Sequence, residues 1–155
     1  NISTKILSEW CLNKSLNVSK MILMFQKEVA ERILANVNSK EYSRITVLTK
    51  WKFNIKKITD VKPNSFFPKP KVQSTVLEFL PKKSYHKIKE PKNLEKITKV
   101  FFSQRRKMIK KPINIIFKNF QFNYEKFGIK PSYRPQNIDV NKYLEIVNEY
   151  ESLES

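Results

Sequence analysis

The stretch Met21-Ile22-Leu23-Met24-Phe25, running into Gln26 to about Ala35, decides the fold. Five apolar residues in an unbroken row suit a strand buried on both faces. The pattern then changes to a spacing of three and four, with Val29, Ala30, Ile33 and Leu34 on one side, which predicts a helix. Upstream, Ser3 or Thr4 can cap a helix that places Ile6, Leu7, Trp10 and Cys11 on one face. Downstream, Arg44 to Trp51 is rich in β-branched residues and reads as a strand, which Phe53 to Ile58 continues past a bend. Val72 to Leu80 reads as the next strand. The order helix, strand, helix, strand, loop, strand predicts an α/β fold, the second half of its sheet. The last two strands are close enough in sequence to pair antiparallel around the loop between them.

After Pro81 the composition changes. Residues 81–91 are polar with two prolines and read as a linker. Beyond them only helices are predicted. Asn93 to Lys111 carries Leu94, Ile97, Phe101 and Met108 along one side, with Pro112 ending the helix. Lys99, Ser103, Arg106 and Lys110 fall on another face, which makes a basic stripe opposite an apolar one. Short helices are expected over Pro112 to Asn119 and Asn123 to Phe127, the second closed by Gly128 as a left-handed cap. Asp139 can cap a last helix on which Val140, Tyr143, Leu144 and Val147 repeat at three and four.

Between the two expected strands lies Ser65-Phe66-Phe67-Pro68-Lys69-Pro70-Lys71-Val72-Gln73-Ser74. Two prolines one residue apart hold the backbone extended and remove donors, so the loop is stiff. Aromatic rings beside Lys69 and Lys71 suit a flat base attached to a phosphate chain. The competing reading is that Phe66 and Phe67 anchor the loop to a core while the lysines are only solvated. The Gln104-Arg105-Arg106-Lys107 cluster is the second chemical feature. A guanidinium fork can pair two phosphate oxygens and stack on an exposed base, and Lys99, Lys110 and Lys111 surround it; its alternative is a solvated helix face.

Charge points the same way. Lys and Arg number 31 against 14 Asp and Glu, a formal +17. Residues 1–81 hold 14 basic and 6 acidic side chains and residues 82–155 hold 17 and 8, so the excess is spread over the chain. That implies a polyanionic partner, with nucleic acid ahead of a membrane surface because no long apolar run is present. A lysine-rich, glycine-poor composition also arises from an AT-rich genome. Cys11 and His86 are the only residues of their types, which leaves zinc sites, disulfide frameworks and Cys–His nucleophile pairs without support and fits a reducing cytosol. Gly128 is the sole glycine, so no glycine-rich cofactor cradle can form before it. The opening on Asn1 reads as a piece of a longer protein.

These motifs, in this order, resemble the small-subunit ribosomal RNA adenine dimethyltransferases of the bacterial KsgA type. Asn1-Ile2-Ser3-Thr4 is similar to the continuation of that family's Asn-Leu-Pro-Tyr-Asn-Ile-Ser-Thr signature, cut after the tyrosine. Phe25-Gln26-Lys27-Glu28-Val29-Ala30-Glu31-Arg32 resembles its Gln-Lys-Glu-Val helix, and Ser39-Lys40-Glu41-Tyr42-Ser43-Arg44 its Ser-Lys-x-Tyr-Gly-Arg segment. Phe66 to Ser74 matches the Phe-x-Pro-x-Pro-Lys-Val-x-Ser loop, Phe102-Ser103-Gln104-Arg105-Arg106-Lys107 the Phe-x-Gln-Arg-Arg-Lys helix, and Gly128-Ile129-Lys130-Pro131 with Arg134 the Gly-Ile-x-Pro-x-x-Arg turn. Ser43 stands where glycine is usual, with strain expected in its turn, and Gln136 where glutamate is common.

The resemblance implies the C-terminal half of a Rossmann-like methyltransferase sheet, residues 1–81, followed by a small all-α RNA-binding domain, residues 82–155. It implies dimethylation of two adjacent adenosines of small-subunit RNA, with S-adenosylmethionine as donor and no donor-binding residue in this chain. Phe66 would stack on the extruded base. Lys69 and Lys71 would flank its phosphates, and Lys99, Arg105, Arg106, Lys107 and Lys110 would hold the RNA. The expected partner is small-subunit RNA or a 30S-type precursor in the cytoplasm, bound by a monomer without membrane or metal. The chain alone is expected to be inactive, with an unpaired strand edge and an uncovered apolar face. Two rivals stand beside this: an inactive RNA-binding or ribosome-assembly module, and a resistance-type methyltransferase of large-subunit RNA.

Overall fold

The computed structural model of the chain describes residues 1–154. Helix α1 spans Ile2–Leu12 and begins at Asn1, whose side chain accepts from the Ser3 amide at 2.8 Å, so the cap lies earlier than Ser3 or Thr4. Leu7 and Cys11, one turn apart, are buried, while Ile6 and Trp10 form a half-exposed neighbouring stripe. Strand β1, Met21–Gln26, runs without a gap into α2, Lys27–Leu34, whose Val29, Ala30 and Ile33 are buried as their spacing predicts.

β1 is not buried on both faces. Ile22 and Met24 alternate with the inward Leu23 and Phe25 and stay 53% and 48% exposed. The reason is its pairing: β1 lies antiparallel to β3, Ser74–Pro81, and only one face of this sheet packs on the core. Strand β2, Phe53–Val61, pairs antiparallel with the other side of β3, giving the order β1-β3-β2. The expected antiparallel pair around the proline loop is therefore present. Phe79 of β3 meets Phe25 and Phe53 edge-on at 6.2 and 5.9 Å, so one ring ties all three strands to the core.

The segment Arg44 to Trp51 is a helix, α3, Arg44–Lys52, and not a strand. Its four β-branched residues, Ile45, Thr46, Val47 and Thr49, each lower helix propensity by a few tenths of a kcal/mol, which sums to about one or two caps. One local feature offsets that: the Ser43 amide donates to Thr46 Oγ1 at 3.0 Å in the first turn. The Thr49 hydroxyl, bonded back to the Ile45 carbonyl at 2.8 Å, only satisfies a buried polar group. Burial then decides the outcome: Ile45, Thr46, Val47, Leu48, Thr49, Trp51 and Lys52 are all buried, so α3 is the central rod of the molecule. A helix buried on every side shows no amphipathic period, which is why its sequence reads as a strand.

The helical half consists of α4, Pro91–Phe102, α5, Lys110–Ile116, and α6, Val140–Glu154, joined by irregular chain and single 3₁₀ turns. The long helix expected over Asn93–Lys111 is two. Pro112 falls in the first turn of α5, where a missing N–H is tolerated, so it helps to open a helix and does not close one. Met108, expected inward, is 55% exposed, and Ile109 is buried in its place. Lys99, Ser103, Arg106 and Lys110 consequently share no helix face. Gly128 closes a short turn at φ +63, and Asp139 Oδ1 caps α6 through the Lys142 amide at 2.8 Å, both as predicted.

Residues 82–90 hold no helix or strand but are tied down. The Trp51 indole donates to the His86 carbonyl at 2.7 Å, and the buried Glu151 carboxylate accepts from the Lys89 and Glu90 amides at 2.9 Å each. The buried core runs without interruption from Leu7 to Tyr150.

Candidate nucleic-acid interface

The loop between β2 and β3 is built from its prolines. Pro63 opens a 3₁₀ turn over Pro63–Ser65, closed by the Phe66 amide on the Pro63 carbonyl at 3.2 Å. Pro68 and Pro70 then keep the backbone extended past Phe67. Phe66 is half-buried, whereas the neighbouring Phe67 ring is fully exposed. Lys69 and Lys71 are exposed beside it. The loop thus combines both readings of its sequence: Phe66 is half anchored with part of its ring left open, and Phe67 is wholly presented. Its ends are fixed, since Ser74 of β3 pairs with Gln26 on one side and Val61 on the other.

The basic residues of the helical half are spread over three local settings. Lys99 is exposed on the last turn of α4. Arg106 and Lys107 are exposed in the turn that follows, and Lys110 is exposed at the start of α5. Arg105 differs from them. It is half-buried and its Nη2 donates to the Lys40 carbonyl at 2.8 Å, so part of its fork is already occupied by protein. Lys107 and Lys110 line one groove of about 600 Å³ together with Lys111, Met108 and Ile115. That apolar floor escaped the sequence reading, because it depends on the turn that breaks the expected helix.

Arg105 is one of four clasps on a single segment. Asn38, in the left-handed region at φ 74, donates its amide to the Gln136 carbonyl at 2.8 Å. Lys40 accepts from Arg105, the Tyr42 hydroxyl donates to the Ile138 carbonyl at 2.7 Å, and Arg44 pairs with Glu95 at 2.9 Å. Residues 38, 40, 42 and 44 are thus held by the helical half through two main-chain groups and two side chains, along a segment of tight turns that leads into α3. Ser43 sits at φ −149 and ψ −178, ordinary extended backbone, so serine in place of glycine causes no strain there.

Titration adds little chemistry. Burial pushes the Cys11 thiol up to about 12, only partly offset by the Lys52 ammonium, so it is no nucleophile at neutral pH. Burial likewise holds Lys50, Lys52 and Lys82 below the usual lysine range. Their ammonium groups donate to main-chain carbonyls, Lys50 to Ala35 at 2.6 Å and Lys82 to Lys50 at 2.6 Å, which makes them structural. Among the described residues no cluster of His, Cys, Asp or Glu could hold a metal. No helix among them is long and apolar enough to cross a membrane.

Residues 1–152 match the family model described as ribosomal RNA adenine dimethylase. The chain belongs to this family. Among relatives, "Ribosomal RNA small subunit methyltransferase A" of Pelagibacter ubique (strain HTCC1062) is 54% identical over 155 residues, and the protein of that name in Borreliella afzelii (strain PKo) is 40% identical over 150. These alignments cover 99% and 96% of this chain but 59% and 52% of the relatives, so the chain spans little more than half their length. A solved dimethyladenosine transferase from Plasmodium falciparum superposes with a TM-score of 0.78 at 26% identity, covering 97% of this chain and 63% of that one. The 23S rRNA methyltransferase ErmE, at 18% identity and a TM-score of 0.59, shares the fold over 97% of this chain and 62% of its own.

Adenine dimethylases of this kind take their methyl group from S-adenosylmethionine, and the residues present do not form a cradle for it. A strand-to-helix turn that lets a cofactor approach the backbone calls for glycine. Here the β1–α2 junction is Gln26-Lys27, and the single glycine, Gly128, lies in the helical half. None of the described residues is assigned to the donor.

Proposed function

We propose that this chain is the RNA-holding part of a small-subunit ribosomal RNA adenine dimethyltransferase, an enzyme that dimethylates two adjacent adenosines in the cytoplasm. Phe66 is the stacking face for the extruded adenine, and Lys69 and Lys71 neutralise its flanking phosphates. Arg106, Lys107, Lys110 and Lys99 engage the RNA from residues 82–155, with Arg105 positioning their turn. The partner is small-subunit RNA or a precursor particle of the 30S type, met by a single copy of the chain.

The observation that carries this reading is the stiff loop, which sets aromatic rings and two free ammonium groups side by side at the fixed end of the sheet. Phe66 is only half-buried, so part of its ring is open to a base, and the fully exposed Phe67 beside it is no core anchor; both favour a base on a phosphate chain. Photo-crosslinking to a small-subunit RNA hairpin that carries 4-thiouridine next to paired adenosines tests it. Crosslinked peptides are expected from residues 62–73 and 103–111. Crosslinks confined to other surfaces would refute the assignment.

A further inference from the structure

We propose that the groove between the 103–109 turn and α5 seats one unpaired nucleotide of RNA, with its base against Met108 and Ile115 and its phosphates on Lys107, Lys110 and Lys111. This rests on the RNA-holding reading above and gives the helical half a base seat of its own, separate from the Phe66 loop.

Three observations converge. The floor is apolar and open to solvent: Met108 is 55% and Ile115 48% exposed, and both line the one groove although seven residues apart in sequence. A flexible thioether beside a branched aliphatic chain makes a soft surface for a flat ring. The rim is cationic, with three lysines and no carboxylate among the residues that line it. The larger cleft of about 930 Å³ between α1 and α4 lacks this property, because Glu9, Glu90 and Glu95 stand among its Lys5, Lys14 and Lys92. Finally, Gln104 and Asn114 are exposed residues of the lining, and a side-chain amide can both donate and accept, as reading the edge of an unpaired base requires. A volume of about 600 Å³ is ample for one nucleotide. An apolar peptide would leave three ammonium groups without partners, and a bare phosphate chain would leave the floor uncovered.

The test compares two sets of substitutions on exposed side chains, with the fold checked by circular dichroism. Met108→Ser with Ile115→Ser removes the floor, and Lys107→Gln with Lys110→Gln and Lys111→Gln removes the rim. Each is titrated with a single-stranded oligoribonucleotide and with inorganic polyphosphate of matched charge. The floor variant is expected to bind the oligoribonucleotide about tenfold more weakly, with its salt slope and polyphosphate affinity unchanged. The rim variant is expected to weaken on both probes, its slope shrinking by roughly 0.7 for each lost phosphate contact. A floor variant that binds the oligoribonucleotide like the parent, beside a weakened rim variant, overturns the base seat and leaves the RNA-holding reading intact. Parent-like binding by both variants overturns the seat and removes this face from the RNA interface altogether.

Discussion

Arg105 Nη2 donates to the Lys40 carbonyl at 2.8 Å, joining the basic turn of the helical half to a segment 65 residues earlier. The bond gives Arg105 a task its neighbours lack, since Arg106 and Lys107 point their charge at solvent. Arg105→Ala should therefore free the turn without removing a phosphate contact. Hydrogen exchange over residues 38–43 is expected to quicken while the salt slope of RNA binding stays that of the parent. Arg106→Ala should do the reverse, lowering the slope by roughly 0.7 and leaving exchange unchanged. A reduced slope for Arg105→Ala would place its guanidinium on RNA instead.

Glu151 is a buried carboxylate that accepts from the Lys89 and Glu90 amides at 2.9 Å and from Asn93 Nδ2 at 2.8 Å. It fixes the approach to α4 from a helix near the chain's end. Glu151→Ala leaves these donors without a partner and should cost about 2–4 kcal/mol, read as a lower urea midpoint. A change under about 0.5 kcal/mol, the usual range for surface substitutions, would show that the strap is held elsewhere.

Cys11 gives a pH dependence of known sign. Burial raises its thiol from 9.0 to about 12, so between those values the unfolded chain has lost a proton that the folded chain keeps. Stability from this group is complete below pH 9.0 and falls above it by about 1.4 kcal/mol per pH unit, until the folded thiol itself ionises. Denaturant unfolding from pH 8 to 11 should show this decline, and Cys11→Ala should flatten it. An equal slope in the variant would assign the effect to Tyr42 and Tyr143, which burial also raises.

At Gly128 the backbone alone sets the cost of a side chain. A Cβ there meets nothing closer than Lys142 Nζ at 3.9 Å, but φ is +63. Gly128→Ala should cost about 1 kcal/mol and Gly128→Asn less, because Asn enters the left-handed region more readily. Thermal melts of the two variants check the order.

Local chemistry was readable where it acts locally. Asp139 and Gly128 announce their caps, and the apolar spacing of α2 and α6 gives their inner faces directly. The proline loop, too, is stiff for reasons written in its residues. α3 escaped because its identity comes from burial on all sides, which erases the period that marks a surface helix. The break after Phe102 escaped because Pro112 is compatible with either end of a helix until the turn before it is known. Met108 and Ile115 meet only through that break, so the groove they floor had no sequence signal.

An RNA-holding surface on this chain should show itself in a salt titration of binding to a small-subunit RNA hairpin with adjacent adenosines, against a scrambled hairpin of equal length. With about five phosphates engaged, log K should fall with a slope of roughly −3.5 on single-stranded RNA, and the adenosine hairpin should bind more tightly at every salt concentration. A flat salt dependence, or equal affinity for the two hairpins, would mean that the chain carries no such surface.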